Sequence, residues 1–124
     1  MKKSLKTALF LILFFGIYAC KKNQLGGKAE LKGVVMHHSK PIPNAYIYIK
    51  YDAIEFPGAD YSLYDTYIQA DANGNYSFSL YKGSYYVYSY GLDYDIPPPY
   101  SVKGGLSISI RNREVLTKNI AVTE

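Results

Sequence analysis

The sequence predicts an all-β protein: a seven-stranded sandwich of two sheets behind an N-terminal signal peptide. Three observations carry this expectation. From Ala29 onward the apolar residues recur with a period of two, which sends alternate side chains to opposite faces of a strand. The runs are rich in Tyr, Val, Ile, Thr and Phe, residues that fit half-buried pleated surfaces. Clusters of Gly, Pro, Asn and Asp separate them at roughly ten-residue spacing, the rhythm of a sandwich. Beyond the signal segment no window shows apolar residues at helical spacing between caps.

In chain order, the signal comes first. Lys2, Lys3 and Lys6 precede an apolar run from Ala8 to Tyr18 that closes on Ala19-Cys20. As a helix this run reaches only about 16 Å, about half of a bilayer core, so it fits a secretory signal better than a spanning segment. The ending Ile17-Tyr18-Ala19-Cys20 resembles the lipobox of bacterial lipoproteins. That resemblance implies removal of residues 1–19, acylation of Cys20 as the lipid attachment site, and a membrane as the first partner. Lys21 stands where an Asp would signal inner-membrane retention in lipoproteins of the enterobacterial type, so the resemblance favours the outer membrane. It leaves the periplasmic or surface side open. Residues 20–28, polar and containing Gly26 and Gly27, are expected to form a short tether, with the domain proper over 29–124.

The strands follow. Leu31, Gly33 and Val35 alternate with Lys32, Val34 and Met36. Asn44 to Tyr51 places Ala45, Ile47 and Ile49 on one face and Tyr46 and Tyr48 on the other. Leu63 to Ala70, Asn75 to Leu80, Ser84 to Tyr90, Leu106 to Arg111 and Val115 to Val122 complete the seven. Asn73-Gly74 predicts a tight hairpin between the third and fourth strands, and Tyr81-Lys82-Gly83 turns the fourth into the fifth. Asp52 to Ser62 and Leu92 to Gly105 are the long loops, the second with a polyproline II stretch at Pro97-Pro98-Pro99.

Four pieces in order carry a resemblance for the body of the chain: Gly33-Val34-Val35, Pro41-Ile42-Pro43-Asn44-Ala45, Asp71-Ala72-Asn73-Gly74-Asn75-Tyr76 and Gly83-Ser84-Tyr85-Tyr86-Val87. Together they resemble the carboxypeptidase regulatory-like domain, a transthyretin-like (prealbumin-like) seven-stranded sandwich with an Ig-like architecture. The resemblance implies a structural or ligand-binding module and not a catalyst, in a fold that some relatives use for carbohydrate binding.

Charge and chemistry narrow the function. Three of the 14 basic residues and none of the 10 acidic ones lie in 1–19, so the net charge of +4 falls to about +1 on processing and gives no argument for nucleic acid. The single Cys excludes an intrachain disulfide framework and a Cys-rich zinc module. His37-His38 are adjacent, expected at a solvated strand end, and point to opposite faces. No nucleophile is framed by a base, so no catalytic residue is assigned. Asp71-x-Asn73-x-Asn75 starts like a calcium loop, but Gly74 and Lys82 occupy the wrong positions for one. Asp71 is expected to cap its own turn. Asp93 and Asp95 form a second acidic pair, too few ligands for a metal. No cofactor or metal is expected.

The tyrosines are the sharpest feature: all but Tyr18 of the 15 lie beyond Cys20. With Tyr85, Val87 and Ser89 turned inward, Tyr86, Tyr88 and Tyr90 face outward. The transthyretin-like resemblance implies that the second and fifth strands are neighbours, so these tyrosines would join Tyr46 and Tyr48 in one outer face, with Tyr61, Tyr64 and Tyr67 at its margin. An open aromatic plate with hydroxyl rims suits an envelope protein partner or a glycan.

Overall fold

The computed structural model describes residues 21–124, so the expected signal segment 1–19 and the expected lipid attachment site Cys20 lie outside the described residues. Nine strands form two sheets: β1 (Leu25–His37), β2 (Lys40–Pro41), β3 (Tyr46–Tyr51), β4 (Thr66–Gln69), β5 (Asn75–Leu80), β6 (Gly83–Leu92), β7 (Ser101–Ile110), β8 (Val115–Thr117) and β9 (Ile120–Ala121). A single 3₁₀ turn, Tyr61–Leu63, interrupts them. The first sheet is built on β1, which pairs antiparallel with β2 and β5 and parallel with β8 and β9. The second has the order β4-β3-β6-β7, all antiparallel.

Alternation explains which faces meet. Leu31 and Val35 of β1 and Tyr76, Phe78 and Leu80 of β5 pack against Ile47, Ile49, Tyr85, Val87, Ile108 and Ile110 of the second sheet. The burial of such side chains is the main favourable contribution to a fold of this size. The Tyr85 ring lies wholly in this core and its hydroxyl donates to the Tyr81 carbonyl at 2.6 Å. Burial pushes that hydroxyl up to about 12.

Eight of the nine strands fall in the seven expected runs and β2 is additional, with differences that have local causes. The run expected from Leu63 becomes a strand only at Thr66, because Tyr61–Leu63 is wound into the 3₁₀ turn capped by Asp60. The seventh run is split into β8 and β9 around Lys118-Asn119, where the Lys118 carbonyl dips toward β1. There it accepts a hydrogen bond from the Tyr76 hydroxyl. A Cβ on Gly33 would stand 1.8 Å from that oxygen, so only glycine allows the approach. Gly104 and Gly105 lie inside β7 and not in a loop. A Cβ at Gly104 would meet the Ala121 carbonyl at 2.1 Å, and one at Gly105 the Val87 carbonyl at 2.4 Å. Close backbone packing, not turning, requires these glycines.

The Asp71–Asn75 turn is no hairpin. It carries the chain from β4 in the second sheet to β5 in the first, closed by Asp71 N–H to Asn75 C=O at 2.9 Å. Of its residues only Gly74 takes a positive φ, 77°. The proline run is not continuous polyproline II: the Pro98–Pro99 bond is cis and Tyr100 N–H donates back to the Pro97 carbonyl at 3.2 Å. The expected tether is docked for most of its length. Asn23 N–H donates to the Lys82 carbonyl at 2.9 Å, Tyr81 N–H to the Gln24 carbonyl at 3.0 Å, and β1 begins at Leu25.

Candidate functional site

The outward face of the second sheet is aromatic by register. Tyr46 lies opposite Tyr90, Tyr48 opposite Tyr88, and Lys50 opposite Tyr86 across the β3–β6 ladder, while Tyr67 of β4 pairs with Tyr48. Directly opposed and diagonal residues are close enough for rings to touch. Tyr48 accordingly sits 5.7 Å from Tyr67 and 6.5 Å from Tyr46, centroid to centroid. The inward set Ala45, Ile47, Ile49, Tyr85, Val87 and Ser89 is fully buried on the other side.

This face is not an open plate. Residues 52–65 fold back across it and lay a second aromatic layer on the first. Tyr61 stacks on Tyr48 at 4.3 Å with planes 10° apart, and Tyr64 stacks on Tyr88 at 5.8 Å and 13°. Phe56 covers Tyr86 and Tyr88 at 5.7 and 5.2 Å. Tyr88, expected on the surface, is therefore only 5% exposed. Tyr48, Tyr86 and Tyr90 are half-buried, and of the five expected plate residues only Tyr46 is exposed.

The covering segment is held at both ends. Asp60 Oδ1 accepts from the Ser62 amide at 2.9 Å, and the Tyr64 hydroxyl donates to the Gly58 carbonyl at 2.9 Å. Asp65 Oδ2 accepts from the Tyr51 amide at 2.7 Å. Burial, and secondarily the Tyr86 and Tyr88 rings, hold the Tyr64 hydroxyl well above the ordinary tyrosine range. Burial raises Tyr48, Tyr61, Tyr86 and Tyr88 as well. The exposed apolar surface consequently moves outward to the cover: Ile54 is 65% exposed, Phe56 51% and Leu63 43%, beside Tyr61, Tyr67 and Tyr46.

At the rim of the same face lies a cleft of about 290 Å³, lined by Tyr46, Tyr90 and Tyr94 rings together with the amide side chains of Asn44 and Gln69. Gln69 Nε2 donates to the Asn44 carbonyl at 3.1 Å, which fixes the amide at the cleft wall.

The histidine pair is not a solvated strand end. His37 is buried, with Nδ1 2.7 Å from Asp93 Oδ2, while His38 takes a φ of 55° and is exposed. Lys40 Nζ donates to Asp93 Oδ1 at 2.7 Å and to Asp95. The Lys40 ammonium first, then His37 and the Asp95 amide, hold the Asp93 carboxyl well below the usual carboxylate range. Lys40 itself is raised by Asp93 and then Asp95, against a smaller desolvation effect. All these groups are engaged in pinning the 93–100 loop to the β1–β2 hairpin. Asp71 does cap its turn, accepting from the Asn73 and Asn75 amides at 2.8 and 2.9 Å. Among the described residues no cluster of three or more His, Cys, Asp or Glu could hold a metal ion.

Sequence reasoning placed the strand tyrosines but missed Ile54 and Phe56, which lie in an aperiodic loop, and it expected Leu63 in a strand where the structure has a 3₁₀ turn. It also missed the His37 contact, although the alternation that buries Leu31 and Val35 points His37 the same way. Fold and site together define an all-β, two-sheet protein with a Tyr-rich surface cluster. No known protein-family model matches this chain, and no curated protein matches it either.

Proposed function

We propose that the protein is a lipid-anchored module of the bacterial cell envelope, attached at the outer membrane through Cys20. Its carboxypeptidase regulatory-like, transthyretin-like sandwich acts without catalysis, as a docking module or scaffold for another envelope protein. The observation that carries the protein–protein reading is the crest of exposed apolar side chains, Ile54, Phe56 and Leu63, on the segment that covers the Tyr-rich face. Exposed apolar surface of this kind marks interaction sites. A second reading, a carbohydrate-binding module, is favoured by the cleft in which Tyr46, Tyr90 and Tyr94 stand beside Asn44 and Gln69. Tyrosines beside the fixed Gln69 amide suit the stacking and hydrogen bonding of a sugar.

The test compares wild type with a Phe56→Ser/Leu63→Ser variant, which leaves the core intact, in capture from detergent-solubilised envelope. A specific partner lost with the variant supports docking. Equal capture by both proteins removes the crest from the reading. A glycan array probed with wild type and Tyr94→Ala decides the second reading, and the intact mass of membrane-extracted protein decides the anchor. A mature N-terminus other than Cys20, or Cys20 without acyl mass, refutes it.

A further inference from the structure

Six of the eleven basic side chains among the described residues gather at one end of the sandwich. Lys21 and Lys22 lead into the docked Asn23, Lys28 stands at the irregular start of β1, Lys82 sits in the β5–β6 turn, and Arg111 and Arg113 belong to the β7–β8 turn. Register brings them together. Gly83 pairs with Ile110, Leu80 with both Leu25 and Ala29, and the Asn23 amide binds the Lys82 carbonyl.

All six side chains are exposed, and none makes an ion pair among the described residues. Of the acids, Glu114 lies in the β7–β8 turn with its carboxylate accepting from the Arg111 amide, and Glu30 on β1 accepts from the Ser77 hydroxyl. The opposite end carries Asp71, Asp93, Asp95 and Glu124 against two cations, Lys40, already paired, and Lys103.

We propose that the basic end is a membrane-facing pole that packs on the anionic phospholipid headgroups of the bilayer holding Cys20. The inference rests on the anchor reading above and adds an orientation to it. Its second support is chain length. Only Lys21 and Lys22 separate Cys20 from Asn23, so even a fully extended link reaches about 11 Å. That is close to one Debye length at physiological salt, and it leaves the β5–β6 turn no room to leave the headgroup field. Lys21 Nζ lies 5.9 Å from the centre of the Tyr81 ring, which shortens the free link further. An aromatic ring with a cation above it beside five further basic groups is the composition of an interfacial anchor.

The experiment uses the full acylated chain, its acyl mass verified, in vesicles of phosphatidylcholine with or without about one-third phosphatidylglycerol. Because acylated Cys20 is not a free thiol, Asn112→Cys and Tyr94→Cys each carry one fluorophore, at opposite poles. Nitroxide on the lipid headgroups reports proximity. The expected result is strong quenching at 112 and little at 94, lost in high salt and in pure phosphatidylcholine. Adding Lys82→Gln and Arg113→Gln lowers the docked-to-free ratio on the order of twentyfold, about fivefold per charge.

Equal quenching at both positions, or stronger quenching at 94, overturns the orientation. Quenching at 112 that ignores salt, lipid charge and the Gln substitutions overturns the headgroup contact and leaves only a short leash. A chain without acyl mass fails the anchor reading alone. The pole is then tested by flotation of that chain with the same vesicles, where salt-sensitive binding supports it and no binding overturns it.

Discussion

Replacing Tyr64 by Ala tests whether the 52–65 segment is a packed cover on the aromatic face. The ring contacts Tyr88 at 5.8 Å and Tyr48 at 6.0 Å, and its hydroxyl binds the Gly58 carbonyl. Each aromatic pair contributes about 0.5–1.5 kcal/mol beyond area, and the hydrogen bond about 1 kcal/mol net. Losing all three weakens the cover by about 2–4 kcal/mol, which accelerates local opening by about 30- to 1000-fold. The assay is amide hydrogen exchange at Ser62, Leu63 and Tyr64, whose N–H groups donate within this segment.

A second readout is tyrosinate absorbance at high pH. Tyr64 and Tyr88 ionise above the ordinary tyrosine range in the folded protein. Their contribution to stability is therefore complete below about pH 10 and is lost as pH rises toward the folded values. With Tyr64→Ala, Tyr88 should ionise closer to its ordinary range. Tyr64→Phe keeps both ring contacts and should cost only about 1 kcal/mol. Unchanged exchange in Tyr64→Ala, or a Phe variant as damaging as the Ala one, would refute the reasoning.

Gly33→Ala should lower stability by about 2–4 kcal/mol in urea unfolding, because its Cβ displaces the Lys118 carbonyl and orphans the Tyr76 hydroxyl. A Tyr76→Phe change should then cost less in the Gly33→Ala background than in wild type. Asp71→Ala removes two amide partners at the inter-sheet turn and should cost about 1–2 kcal/mol by the same measurement. The depressed Asp93 carboxyl contributes stability above the unfolded value of about pH 4, and that contribution disappears as pH falls through the folded one. Midpoints measured against pH should show an acid loss that Asp93→Asn lacks.

The facing of β3 and β6 was legible because the period of two is strict there: Ile47 and Ile49 against Tyr46 and Tyr48, Tyr85 and Val87 against Tyr86 and Tyr88. Their pairing was legible only through the resemblance. The cover was not legible: Phe56 lies in an aperiodic loop whose path depends on the surface it meets, and Tyr64 was expected in a strand that begins only at Thr66. Turn chemistry at Asp71–Asn75 announced a reversal but not which sheet the next strand joins. Gly104 and Gly105 look like loop residues until the Ala121 and Val87 carbonyls are seen beside them. His37 needed a partner, Asp93, 56 positions away, which no local pattern supplies.

The parallel pairing of β1 with β8 and β9 has a consequence for the order of folding. Glu30 meets Val115 and Val35 meets Ile120, so one side of the first strand waits for residues 115–121. Contacts of such sequence separation close late and slowly, on the millisecond-to-second scale typical of all-β topologies. Until then β1 presents an unpaired edge, and a nascent chain paused before residue 115 should be a target for chaperones and proteases. A polypeptide built this way keeps one edge of its first strand open until partners about 85 positions further on have been made.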